Sequence, residues 1–504
     1  MADVWKYFAH EDDYPDLDEA AVVERMAGLL RFRTVSHLDP TLTDWGEFDR
    51  LQAYMRATWP HVFSAAQVAL VDHSLLLTLV PDCAVGFAPA DTPGSTSAPS
   101  PDIAASSSAQ GLDPVLFMGH MDVVPVVEGT EADWTYDAYS GHVDETYVWG
   151  RGSVDMKDQV AGELEAVEYA LAHGWRLRRP LILAFGQDEE DLQSGAAGLS
   201  RVLRERGVHL AFVVDEGTYL VEDAAGYGAP GLPIMGVGLA EKGYADIELT
   251  VRSAGGHSST PFGGTSLGIL AEAITRIAKA PWPVALTGLG QATFAAVADA
   301  VTDPRLAPLV AGGAETIAAH ADEIAQVCLA DRDLNAFVVT TVAPTVIEGS
   351  SQANNVLPQD MRAVINFRIL EGLSVGDVLA RCQELVADLP VEVRLLGGDN
   401  EPSAVSRADS EGFAALARVA ARYFRDPVTG EAVRLVPELQ VGATDARSYE
   451  PICDSCLRFS AFVVDADECA RGVHGTDERI TRRAYLQGVR FMIGLLADSV
   501  CDPA

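Results

Sequence analysis

The sequence predicts an α/β protein: a three-layer domain on a mainly parallel sheet, interrupted by a smaller inserted α+β domain. Three observations carry this reading. At 504 residues the chain exceeds one ordinary hydrophobic core, so two domains are expected. Between "PVLFM" and "LAFVVDEG" short apolar runs alternate with helix-length amphipathic stretches, the pattern of βαβ units. From about residue 244 the pattern changes to alternating strands such as "YADIELTVRS", and an α/β pattern returns near 400. The large domain is therefore placed at 1–243 and 399–504, and the insertion at 244–398.

The elements follow in order. "LDEAAVVERMAGLLRF" and "WGEFDRLQAYMRATW" carry apolar residues at helical spacing, and "AAQVALVDH" and "LLLTLV" read as strands. Residues 84–112 are rich in Ala, Ser and Pro and read as a flexible insertion that carries no chemistry. Strands follow at "PVLFM", "YVWG", "PLILAFG" and "LAFVV", with helices at 156–174 and through "SGAAGLSRVLRER". In the insertion, a helix is expected at "SLGILAEAITRIAKA" and a long Ala-rich helical region between about 290 and 330. Strands then follow at "AFVVTTVAPTVIEG" and "MRAVINFRIL", a helix at "SVGDVLARCQELVADL", and a strand at "VEVRLL".

The formal charge is −37, and only Lys6, Lys157, Lys242 and Lys279 are lysines. So negative a chain argues against nucleic acid or an anionic membrane as partner. No apolar run is long enough to span a bilayer. The N-terminal stretch has neither a basic start nor an apolar core, so the cytoplasm is the expected compartment. Seven scattered cysteines do not form a disulfide framework, and "CDSC" at 453–456 has no second cysteine pair beside it.

Four connections deliver titratable groups toward one predicted sheet edge: "GHMD" (His120, Asp122), "RGSVDMKD" (Asp155), "GQDEED" (Asp188, Glu189, Glu190) and "VVDEG" (Asp215, Glu216). Singly, a carboxylate after a strand caps a helix or faces water. Four such sets at one edge would repel one another unless cations lie between them. A metal site follows, most simply for two ions, and mixed His and carboxylate donors suit zinc, cobalt or manganese. "VHGTDERI" supplies a further imidazole, His474.

The motifs "HMDVVPV", "WGRGSVDMKD", "AFGQDEED", "GGHSSTP" and "HGTDERI" resemble the M20 family of dinuclear zinc peptidases and amidohydrolases, nearest its carboxypeptidase S and N-acyl-amino-acid hydrolase branch. The likeness runs in family order from residue 31 to 480. It implies that the insertion is a lid or dimerisation domain and that each subunit holds two Zn²⁺, with Co²⁺ or Mn²⁺ as alternatives. His120, Asp155 and Asp215 would hold one ion, and Asp155, Glu190 and His474 the other. Asp122 would orient His120, and Glu189 would be the general base. The resemblance further implies that His257 stabilises the oxyanion, often from the partner subunit of a dimer. Asn355, Arg368 and Arg447 are candidates for substrate binding, Arg suiting a carboxylate because its planar fork binds both oxygens.

The expected activity is hydrolysis of an amide bond in a small peptide or an N-acyl amino acid. A non-catalytic peptide- or metal-binding protein on the same scaffold would have lost the base or ligands, which are all present. Phosphoester hydrolysis would need a cation beside the metals, for which Lys157 is the candidate.

Overall fold

The computed structural model describes residues 4–81, 111–261, 263–349, 351, 353–464 and 472–503. The flexible insertion expected at 84–112 falls almost wholly outside them. The large sheet runs, from one edge, through Gln67–Val71, Ser74–Leu79, Leu181–Gly186, Val115–His120, Phe212–Thr218, Cys456–Phe459, Ile234–Glu241 and Arg434–Gln440. The four central strands are parallel, and the pair on the far side runs opposite to them.

The central strands read as continuous apolar runs because both faces are covered. Val115 and Phe117 face one core with the helices Glu19–Leu29, Lys157–Ala172 and Arg482–Ser499. Leu116 and Met118 face a second core with the helix Ser194–Glu205 and the segment around Tyr449. Cys453 and Cys456 are buried in this second core, which accounts for the lone C-x-x-C as packing.

The small domain is an antiparallel sheet in the order Thr341–Glu348, Asp360–Ile369, Gly243–Arg252, Glu392–Leu395. Ala245, Ile247, Leu249 and Val251 pack on the helices Ser266–Lys279 and Val375–Leu385, while Asp246, Glu248 and Thr250 alternate to the other face. The chain leaves the large sheet at Glu241 and enters the small one at Gly243. The returning segment is tied alongside: Glu241 N donates to Ser403 Oγ at 2.7 Å and Tyr244 N to Asn400 O at 2.8 Å.

The inserted stretch is not one unit, contrary to the expected 244–398 domain. Its Ala-rich part forms four short helices, Gly288–Val297, Ala307–Val310, Ala314–Ala319 and Ala321–Leu329. These close a separate core against Ile234 and Val436, on the edge of the large sheet. Thr293 Oγ1 donates to Pro437 O at 2.7 Å and holds them there. Their apolar positions are satisfied by that edge strand, so the small domain proper is the two stretches around them. No helix among the described residues is long and apolar enough to cross a membrane.

Candidate metal centre

His120 ends the central strand Val115–His120 and is 1% exposed. Its Nδ1 lies 3.1 Å from Asp122 O and 3.2 Å from Asp122 Oδ1. Two residues along an extended chain face the same way, so the i, i+2 spacing lets one aspartate hold the ring. The same carboxylate accepts the backbone N–H groups of Glu189 and Glu190, each at 3.1 Å, and the hydroxyl of Ser36 at 2.6 Å. One fully buried aspartate thus fixes the imidazole and the loop carrying two glutamates.

Asp155 stands between two imidazoles. Its Oδ1 is 3.1 Å from His120 Nε2 and its Oδ2 is 3.0 Å from His474 Nε2. His474 Nε2 is also 3.1 Å from Glu190 Oε2. His474 sits at φ 58°, a left-handed conformation uncommon for a non-glycine residue. Glu478 ties its loop to that of Asp155: one oxygen accepts from Val154 N at 2.9 Å and Asp155 N at 3.3 Å, the other from Arg151 Nη1 at 2.6 Å. Arg151 also donates to Gly475 O at 2.8 Å.

The structure gathers Glu216, where the expectation named Asp215. Donor atoms of His120, Asp155 and Glu190 form one candidate group, and those of His120, Glu189 and Glu216 a second. Glu216 Oε1 lies 3.7 Å from His120 Nε2. Asp215 is occupied elsewhere: Oδ1 accepts Glu216 N and Oδ2 accepts Ala446 N, both at 2.8 Å. Neighbours on a strand face opposite sides, so Asp215 and Glu216 cannot both turn to the cluster.

The donor set fits divalent cations. Glu190 Oε1 is buried without a partner among the described residues, as are both oxygens of Asp445. Burial pushes the Glu189 carboxyl up to about 8, and burial with the neighbouring Asp155 raises Glu216 well above its ordinary range. Hydrogen bonding to Asp155 and Glu190 pushes the His474 imidazole up to about 10. Burial opposes charge on His120, yet its hydrogen bonds with Asp122 and Asp155 hold it well above its ordinary value. Carboxylates crowd here and draw positive charge onto their histidines, as they would draw a metal.

The other expected site residues lie elsewhere. His257 and Asn355 meet on a short ribbon of the small domain, where Ser258 N donates to Asn355 O at 3.0 Å and the exposed His257 Nδ1 pairs with Ser259 Oγ at 2.7 Å. Arg368 lies on the sheet of the small domain with its guanidinium 4.8 Å from the Tyr244 ring centre. Arg447 reaches the crossing between domains, donating to Glu401 O at 2.5 Å with Nη1 3.7 Å from Glu241 Oε2. Lys157 donates to Leu29 O and Phe32 O, so it does not serve a phosphate beside the cluster. The sequence places Glu216 at this edge, but the ligand role was assigned to its neighbour Asp215; Arg151, Glu478 and Asp445 were passed over. Glu216 was visible in "DEG"; the buried Arg151–Glu478 pair joins positions too far apart in the chain to be read as partners.

Two imidazoles and several buried carboxylates on the rim of an α/β sheet, beside a glutamate raised by burial, are the apparatus of a metal-dependent hydrolase of peptide or amide bonds. The chain belongs to peptidase family M20/M25/M40, whose profile matches residues 116–498. It is 28% identical over 497 residues to the probable carboxypeptidase S-like 2 of Dictyostelium discoideum, covering 97% of this chain and 87% of that one. It is 31% identical over 401 residues to the N-fatty-acyl-amino acid synthase/hydrolase of Homo sapiens, covering 78% and 76%. Among solved structures, an M20 family metallo-carboxypeptidase from Sulfolobus solfataricus shares the fold, with TM-score 0.62, 15% identity, and 94% and 98% of the two chains covered. Human carnosine dipeptidase 1 does so with TM-score 0.61, 16% identity, and 97% and 98% covered. Enzymes of this family use divalent metals, and the cluster is the candidate site for them here.

Proposed function

We propose that the protein hydrolyses the amide bond formed by the nitrogen of an amino acid whose carboxylate is free, in an N-acyl amino acid or at the carboxyl end of a short peptide. The observation that carries this is the bridging position of Asp155 between His120 and His474, with Glu189 beside it. His474 and Glu190 would hold one ion, His120 and Glu216 the other, and Asp155 both. Two Zn²⁺ are proposed, bound ions supplying a polarised carbonyl and a more acidic water.

The protein's own groups do the rest. Glu189 takes a proton from the attacking water and delivers it to the departing nitrogen, which leaves as a neutral amine. Asp122 keeps both the His120 ring and the backbone of Glu189 in place. Arg447 is the proposed partner of the substrate carboxylate, a role supported by its buried Nη1, which makes no hydrogen bond among the described residues and lies 3.7 Å from Glu241 Oε2. Arg368 and Asn355 are assigned supporting contacts from the lid. His257 is assigned to the oxyanion, reached by closure of the lid or from a second subunit. A homodimer is supported by the edge strand Thr341–Glu348, which exposes Val346 and Ile347. Five buried cysteines, all free among the described residues, support a reducing compartment, the cytoplasm.

Chelation should abolish cleavage of N-acyl amino acids and dipeptides, and Zn²⁺ or Co²⁺ should restore it. Glu189→Gln should keep its metal content, measured by elemental analysis, while kcat falls by roughly 10²–10⁴. A variant that retains the wild-type rate contradicts the mechanism.

A further inference from the structure

A cavity of about 360 Å³ opens on the small domain, lined by Pro281, Trp282, Pro283, Leu373, Asp377 and Arg381. It shares no residue with the metal centre, and its volume suits a small ligand, for which pockets run roughly 300–1,000 Å³. Two segments form it. Asp377 and Arg381 belong to the helix Val375–Leu385, and Leu373 immediately precedes that helix's capping residue, Ser374. Residues 281–283 link the helix Ser266–Lys279 to the first of the Ala-rich helices. Trp282 is anchored in the small-domain core with its ring centre 5.4 Å from that of Phe367, and the prolines on either side stiffen the linker.

An acid four residues before an arginine on one helix is the arrangement in which the two ordinarily pair. Asp377 and Arg381 have that spacing, yet no ion pair joins them among the described residues. Asp377 is held back by Ser374, whose N and Oγ donate to its Oδ2 at 2.9 and 2.6 Å, which leaves Oδ1 uncommitted. Arg381 is drawn the other way: Nη2 donates to Pro281 O at 3.0 Å, and the guanidinium stands 5.6 Å from the Trp282 ring centre. Its Nε, like Trp282 Nε1, is buried without a hydrogen-bond partner among the described residues. Glu384 Oε2, 4.0 Å from Arg381 Nη1 and largely exposed, is a loose partner.

The cavity thus offers a carboxylate and a guanidinium one helical turn apart, set among proline, tryptophan and leucine. A simple anion would meet Asp377 there, and a simple cation would meet Arg381. A small zwitterion satisfies both, since its carboxylate can lie on the guanidinium and its ammonium on the aspartate. The apolar walls favour a hydrocarbon side chain on the same molecule. We infer that this cavity binds a free amino acid with an apolar side chain, its carboxylate on Arg381 and its ammonium on Asp377. The site is separate from the metal centre, and the inference stands whether or not the chain cleaves amides.

Equilibrium dialysis of labelled L-leucine against the Zn²⁺-loaded, full-length protein tests this. Saturable binding is expected at millimolar ligand or below, weakened about tenfold or more in Arg381→Met and in Asp377→Asn. Isocaproate, which lacks the ammonium, and isoamylamine, which lacks the carboxylate, should each compete about tenfold less well than unlabelled leucine on the wild type. That comparison needs no substitution, so it decides the matter even where a variant disturbs the helix. Asp155→Asn, altered only at the metal centre, should bind leucine as the wild type does. An absence of binding at millimolar leucine, equal competition by the singly charged analogues, binding unmoved in either cavity variant, or a loss confined to Asp155→Asn overturns the inference.

Discussion

On the sheet of the small domain Glu248 meets the guanidinium groups of Arg362 and Arg394, and on its helical side Arg276 meets both Asp388 and Glu272. On the rim of the large sheet, Glu190 keeps a buried oxygen without a hydrogen-bond partner among the described residues, and Asp445 has two. Asp215 and Asp122 are satisfied there by backbone N–H groups and a hydroxyl rather than by arginine. Opposite charge makes these acids of the small domain inexpensive, paired arginines matching the buried Glu248 and water also reaching Asp388 and Glu272. The rim's acids are withdrawn from water and left with charge to be matched, which is costly unless a cation arrives. The two regions separate charge that serves solubility from charge that serves chemistry.

The difference can be probed by substitution, from the largest expected effect downward. Asp155→Asn should remove the shared carboxylate, so metal content measured by elemental analysis falls and turnover drops further than in Glu189→Gln. Glu478→Ala should strand a buried guanidinium and free the loops of Asp155 and His474. The expected loss is about 3–5 kcal/mol in denaturant unfolding, with weaker metal binding alongside.

Glu438 offers a pH signature away from the cluster. It is fully enclosed on the edge strand, accepts a hydrogen bond from Tyr227 at 2.8 Å, and burial pushes its carboxyl up to about 7. The unfolded chain releases this proton near pH 4.5 while the folded protein holds it to about 7. The wild type should therefore lose stability as pH rises through that window, on the order of 3 kcal/mol. Glu438→Gln should escape that loss, so its advantage over the wild type in denaturant unfolding should be greater at pH 8 than at pH 5. At the small end, Asp388→Ala on the lid surface should leave the unfolding midpoint without measurable change.

Much of this was legible in the chain. The runs "VLFM" and "LILAF" announced strands buried on both faces, and the alternation in "YADIELTVRS" announced the half-exposed sheet of the lid. The acids and histidines at strand ends pointed to one edge, and His120, Asp155, Glu190 and His474 meet there. Two things were not legible. The choice between Asp215 and Glu216 depends on which way a strand end faces, and the Asp215 carboxylate is drawn away by the backbone N–H of Ala446, more than 200 residues on in the chain. The docking of the Ala-rich helices depends on an edge strand near residue 436, which an apolar face alone does not identify.

The central claim is that a pair of cations is held by His120, Asp155, Glu190, Glu216 and His474. An anomalous difference map at the zinc edge, from crystals grown with Zn²⁺, tests it most directly. The account predicts two peaks flanking Asp155, one touching His474 and Glu190, the other touching His120 and Glu216, at distances near 2.0–2.2 Å. An absence of peaks, or a second peak bound by Asp215 in place of Glu216, would contradict it.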